Sequence, residues 1–411
     1  MKKILISLTV MMMLSCNSLF IKPVTKKDLA KSTGIILGAE QPEKYLSYLK
    51  GKRVGIVANY ASVVGSRNML IVDKLLPLGV NIVKIFGPEH GFRGNASNGA
   101  KVDDETDPET GIKIISLYGK IQKPTREHLS DIDLMIFDIQ DVGGRFNTKI
   151  QTLEAVMEAC AENNKELMIF DRPNPNGYYI DGPILEDHLR SGIGRHKVPI
   201  THGMTIGEFA QMLNGEGYIE NNLRCKLNII KVLNYTHATP YILPVHPTPN
   251  LNTPQSVLLY PSLCLFEGTI LSQGRGTYMP FTVLGAPALK GKYTFSFTPV
   301  SIKGMSENPL HKDSICYGLD LRNYDTTIFR KTGQINLKWL IELYKAYPQK
   351  EKFFDYTQSK SMGNFDKLAG TAKLREDIIA GVSEAEIRKS WEPGLKEFKR
   401  MREKYLLYPD K

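Results

Sequence analysis

Four short apolar runs, each ending in polar residues, recur through the first half of the chain. They are "RVGIVAN" (Arg53 to Asn59), "VNIVKIFGPEH" (Val80 to His90), "DLMIFDIQD" (Asp133 to Asp141) and "ELMIFDRPNPNG" (Glu166 to Gly177). Between them, "NMLIVDKLLPLG" and "IQTLEAVMEACAENN" carry apolar residues three and four apart, and the second ends at Asn163-Asn164 as a helix C-terminus does. Strand-length runs alternating with helical periodicity predict an α/β fold built on a parallel sheet. All strands of such a sheet point their carboxyl ends to one edge, where ligands bind. Asn59, Glu89, His90, Asp138, Asp141, Asp171 and Arg172 all stand at the ends of these runs. The pattern therefore predicts that they converge on one rim.

Further along, "MTIGEFAQMLNGEG" predicts a helix with Thr205 near its start and glycines at its end, and "LNIIKVL" another strand. The repeated prolines from Tyr241 to Pro261 suppress helix and mark an ordered crossing segment, so the domain boundary is placed near Ser262. Beyond it "KYTFSFTPVSI" alternates like a strand and "INLKWLIELYKAY" is amphipathic. "SEAEIRKSWEPGLKEFKRMREKYLLY" is helical in period, with an interruption expected at Pro393. The expectation is a doubly wound, mostly parallel domain over residues 34–262 and a smaller α+β auxiliary domain over 263–411.

At 411 residues and 42% hydrophobic, the chain has enough apolar surface for two domains. The amino terminus stands apart. Lys2 and Lys3 precede an apolar run from Ile4 to Leu14 that is shaped like a secretory signal and too short to span a bilayer. "MLSC" follows and resembles a bacterial lipobox. Residues 1–15 are thus expected to be a signal peptide, Cys16 a lipidated N-terminus, and residues 16–33 a linker from a membrane to the folded domains in the periplasm. Cys160, Cys225, Cys264 and Cys316 form no CxxC and read as small core residues, without the spacing of a metal site. The net charge of +10 falls by two when Lys2 and Lys3 are removed. Its basic residues are scattered, which argues against nucleic acid and suits an anionic polymer such as a cell wall.

The chain contains no GxSxG elbow, no HExxH and no GxGxxG after a strand, and "GNASNGAK" has Ala100 where a phosphate loop needs lysine. No motif calls for a cofactor. In "FGPEHGFRG", Glu89 stands beside a strand end, where burial can raise a carboxyl into the range of a general acid; alternatively Glu89 and His90 cap a turn or pair with Arg93. "FDIQDVGGRFNT" offers Asp138, Gln140, Asp141 and Arg145, either facing one ligand or acting as a helix cap and a surface pair. "FDRPNPNG" sets Asp171 and Arg172 before two prolines that fix a turn. His202 precedes a helix start. Glu267 and Arg275 lie in the glycine-rich "FEGTILSQGRGT", where Arg275 is suited to grip a carboxylate with two hydrogen bonds.

These motifs, with "GPILE", "THGMTIGE", "PNLNTPQSVLLYPSLCLFEGT", "SQGRGT" and "FDKLAGTAKLREDI", resemble in order those of the exo-β-N-acetylmuramidases, glycoside hydrolase family 171. The resemblance runs from about Gly51 to Pro409. It implies a Rossmann-like N-terminal domain, an auxiliary C-terminal domain completing the cleft, and release of terminal N-acetylmuramic acid from muropeptides or disaccharides of peptidoglycan. It puts the catalytic glutamate on Glu89. One departure is visible: after Arg145-Phe146 the family usually has tyrosine, where this chain has Asn147, then Thr148 and Lys149.

Chemistry and resemblance agree, because glycosidic cleavage uses a protonated acid beside a second nucleophilic or basic group. Glu89 is the expected acid, with His90 beside it. Asp138, Asp141 or the sugar's own acetamido oxygen is the partner. Asn59, Arg93, Gln140, Arg145, Asp171, Arg172, His202, Glu267 and Arg275 are the candidate sugar contacts, with Arg275 foremost for the lactyl carboxylate. Two rival readings are a metal-assisted amide or ester hydrolase using His90, His202 and the aspartates, and a non-catalytic wall-binding lipoprotein.

Overall fold

The computed structural model describes residues 34–89, 91–93, 104–354 and 365–411. Its centre is a seven-stranded sheet. The strands are β1 (Arg53–Ala58), β2 (Asn81–Gly87), β3 (Glu105–Thr106), β4 (Lys113–Ser116), β5 (Leu134–Asp138), β6 (Glu166–Phe170) and β7 (Lys226–Ile230), in the spatial order β3-β4-β2-β1-β5-β6-β7. Every pairing is parallel except that of the edge strand β3, which is antiparallel to β4.

Period-two alternation sorts the side chains onto two faces. Val54, Ile56, Leu134, Ile136, Met168 and Phe170 pack with Tyr45 and Leu49 of helix α1 (Pro42–Leu49). Val57, Met135, Phe137, Leu167 and Ile169 pack beneath helix α2 (Thr148–Glu162) and helix α3 (Ile206–Gly215). Helices on both faces make the sheet doubly wound, as the alternating runs predicted. β4 is a fifth apolar run, "KIIS", which belongs to the same pattern.

The structure corrects two expectations about proline. Helix α4 (Pro254–Leu263) forms inside the proline-rich crossing, and Ser262 lies within it. Thr253 caps its start and Pro254 stands at the first position, where no backbone hydrogen bond is lost. Pro261 leaves the Val257 carbonyl without its helical donor, and Asn176 Nδ2 supplies one from outside at 3.0 Å. Likewise helix α6 (Glu384–Glu403) runs through Pro393, after the shorter helix α5 (Lys338–Ala346). A small antiparallel sheet, β8 (Val283–Ala286), β9 (Phe295–Phe297) and β10 (Cys316–Asp320), with β10 central, belongs to the later half.

The halves share their largest core. Val142, Phe146, Tyr179 and Ile200 pack with Leu259, Leu263, Phe281, Leu340 and Trp391. Far along α6, Phe398 joins the layer beneath α2 and α3, while Arg402 donates two hydrogen bonds to the Gly203 carbonyl.

Candidate active site

The rim formed by the strand ends is a locked frame. Asn59 Oδ1 accepts from the Ala61 amide, and Ser62 of the same turn donates to the Asp138 carbonyl. Arg172 grips both carboxylate oxygens of Asp138 at 2.5 and 2.8 Å and donates to the Val63 carbonyl. Both side chains are almost wholly buried. Asp171 accepts from Thr205 Oγ1, the Gly207 amide and the Tyr408 hydroxyl. Burial raises its pKa to about 6 against the lowering effect of those bonds. Gln140 donates to the Asp141 and Pro173 carbonyls. Arg145 donates to the carbonyls of Pro183, Val198 and Leu368, tying the two halves together. Arg93 is engaged by Asp107 at 2.6 and 2.8 Å, with Asp73 and Glu109 beyond.

Beside this frame opens a cleft of about 470 Å³, the size of a small-ligand pocket. Of the candidate residues, Glu89 and Arg275 line it. The other candidates among the described residues are absent from its lining. Asp138, Asp141, Asp171 and Arg172 are buried and absent from the lining. His90 and Cys16 lie outside the described residues.

Glu89 reaches the cleft two residues after β2 ends at Gly87. Its Oε2 accepts from Thr148 Oγ1 at 3.0 Å, and the Tyr118 phenol also hydrogen-bonds it. Burial, and secondarily Glu89, push that phenol up to about 12. Asn147 caps α2 by accepting from the Lys149 amide, and both Asn147 and Thr148 line the cleft. The segment that departs from the family pattern is thus part of the wall. Opposite, Phe146, Tyr260 and Phe281 pack edge to face at 5.2 and 5.1 Å, and the Arg275 guanidinium lies 5.1 Å from the Phe281 ring centre. Burial works against the charge of Arg275. The Glu267 carboxylate, 2.6 Å from its Nε, outweighs that and keeps its pKa above the usual value. Glu267 therefore serves as counter-ion to Arg275 and does not line the cleft itself.

Asp141 and His202 form a second, buried polar group. Asp141 accepts from the Gly143 amide, and burial raises its pKa to about 6. His202 Nδ1 accepts from the Met204 amide while Nε2 stands 3.8 Å from Asp141. Burial lowers the His202 pKa to about 3, so the ring is neutral. Among the described residues no cluster of three His, Cys, Asp or Glu side chains is placed to hold a metal ion.

Tyr118, Gln151, Arg195, Asn250 and Lys367 also line the cleft, although none of them stood out as a candidate residue in the sequence. Tyr118 carried a signal, since it follows the unread apolar run of β4. Gln151 follows Thr148 on α2, Asn250 and Lys367 lie within the "PNLNTPQ" and "FDKLAG" stretches, and Arg195 comes from a segment that no motif marks.

Residues 54–255 match the N-terminal family model, and residues 258–408 the C-terminal model, of the exo-β-N-acetylmuramidase NamZ. The peptidoglycan β-N-acetylmuramidase NamZ of Bacillus subtilis is 37% identical over 414 residues, covering 94% of each chain. Two DUF1343 family crystal structures from Bacteroides fragilis superpose with TM-scores of 0.83 and 0.76 at 42% and 30% identity. Each covers 92% of this chain, and the alignments span 99% and 100% of theirs. Because both family models follow in order, and identity extends over nearly the whole length, the chain belongs to the exo-β-N-acetylmuramidase NamZ family.

Proposed function

We propose that this protein is an exo-acting glycoside hydrolase that releases terminal β-linked N-acetylmuramic acid from the non-reducing ends of peptidoglycan fragments. The observation that carries the roles is that Glu89 and Arg275 share one cleft. Glu89 is the general acid, protonating the leaving oxygen. Arg275, held charged by Glu267, receives the lactyl carboxylate that distinguishes muramic acid from glucosamine. Glu89 is the only carboxylate on the cleft lining among the described residues, which favours the substrate's acetamido oxygen as the internal nucleophile. Release of product with its β configuration retained, followed by NMR, is the expected result; the α anomer as first product overturns that assignment.

Turnover of a chromogenic N-acetylmuraminide, compared with the glucosaminide, tests the whole reading. Arg275→Ala should weaken the muraminide by about 1.5 to 3 kcal/mol and leave the glucosaminide nearly unchanged. Its melting temperature is followed alongside, because Glu267 loses its cation. Activity abolished by a chelator would favour the metal-assisted hydrolase, and binding without turnover the wall-binding protein. The signal-like amino terminus supports a periplasmic lipoprotein anchored through Cys16. Mass spectrometry of the mature protein should find acylated Cys16; an unmodified terminus at another residue refutes the anchor.

A further inference from the structure

Lys149 is a buried amine near the cleft wall. It occupies the second position of α2, directly after the Thr148 that hydrogen-bonds Glu89, and is only 1% exposed. Its Nζ has no hydrogen-bond partner among the described residues. Burying such a group costs free energy that a methionine of similar length would not incur. Burial lowers its pKa, and the neighbouring carboxylates of Glu89 and Asp141 act against that lowering by favouring its charged form. Asp141 Oδ1 and His202 Nε2 also lack hydrogen-bond partners, so further unmet polar atoms lie around Asp141.

We infer that Lys149 is a positioning residue that sets the charge state of Glu89, with Asp141 as the counter-ion that balances it. The inference rests on Glu89 being the general acid. A cation close to a carboxyl favours its ionised form, and a nearby carboxylate opposes that. Lys149 and Asp141 thus act on Glu89 in opposite directions from behind the wall. Among the described residues, Tyr118 and Thr148 also face Glu89, with Arg195, Arg275 and Lys367 elsewhere on the lining. His202 lies beyond Asp141, and His90, next in the chain, lies outside the described residues. Arg275 also has an orphaned nitrogen, Nη1, but its guanidinium is already paired with Glu267, whereas Lys149 Nζ has no hydrogen-bonded counter-ion.

The test is the pH profile of kcat/KM for muraminide turnover, whose alkaline limb reports deprotonation of the acid. Lys149→Met should move that limb up by about one pH unit or more, because Glu89 then keeps its proton to higher pH. Asp141→Asn should move it down by leaving the lysine uncompensated. Lys149→Arg should leave it close to wild type. A fall in kcat with the limb unmoved in Lys149→Met makes Lys149 merely structural and overturns the inference. If Lys149→Met does not fold, Lys149→Gln provides the same readout. Glu89→Gln separates the two levels: if it stays active, the general-acid reading fails. If it is inactive while the Lys149 limb does not move, only this inference fails.

Discussion

Glu89 owes its place to Gly87 and Pro88, which end β2 and turn the next side chain off the sheet edge. Glu89→Gln keeps an acceptor for Thr148 and removes the transferable proton, so turnover should drop by about 10² to 10⁴ while product still binds. Steady-state kinetics with calorimetric product binding checks this, and near-normal turnover removes Glu89 from the mechanism. Asp141 carries a different signature. Its folded pKa of about 6 stands above the ordinary 3.8, so the folded state holds the proton more tightly. Its contribution to stability is therefore complete below about pH 4 and is lost as the pH rises through about 6. Asp141→Asn does not titrate. Relative to wild type it should gain about 2 kcal/mol between pH 4 and pH 7, since a tenfold change in proton affinity corresponds to about 1.4 kcal/mol and that interval covers most of the shift from 3.8 to about 6. Urea denaturation at the two pH values measures the difference, and an equal offset at both shows that burial does not perturb this carboxyl.

The ends of β5 and β6 show how elements are fastened before any ligand arrives. Asp138 and Arg172 are buried as a two-pronged pair, and each depends on the other to offset its desolvation. Asp138→Ala strands the guanidinium and should cost about 3 to 5 kcal/mol by denaturant melts. A loss below about 1 kcal/mol would mean that water replaces the carboxylate. Gly143 belongs to the same joint. Its φ of +80° and an Asn174 side chain 2.4 Å from where a Cβ would sit leave room only for glycine. The turn between β5 and α2 thereby brings Asn147, Thr148 and Lys149 to Glu89. Composition gave no hint of this: "FNTK" reads as an ordinary helix start, and only the meeting of β2 with α2 makes its first turn a cleft wall.

Across the whole molecule, the two family segments are joined by packing more than by a linker. Phe146, Val142 and Ile200 bury themselves against the later half, Arg145 bonds to the Leu368 carbonyl, and α6 returns to the first layer through Phe398 and Arg402. Residues 34–257 produced alone should therefore be poorly folded, exposing that shared core. Loss of a cooperative thermal transition with dye binding is the expected observation, whereas a sharp, native-like transition would establish an independent domain.

The local pattern was enough for the sheet, because period-two burial and helical spacing are properties of neighbouring residues. It placed the strand ends, hence the rim, and singled out Glu89 and Arg275, whose motifs carry unusual polar residues in glycine-rich turns. It could not separate the residues that reach the cleft from those that brace it, since Asp138 and Glu89 look alike at strand ends. That distinction depends on long-range partners: Arg172 for Asp138, Thr148 and Tyr118 for Glu89, Glu267 for Arg275. The prolines mislead for the same reason, as Asn176 restores the bond that Pro261 removes from α4. Sequence by itself thus determined the elements and the chemistry on offer. Tertiary structure decided which charges are neutralised in the frame and which face the cleft, because burial and pairing are set by contacts between segments far apart in the chain.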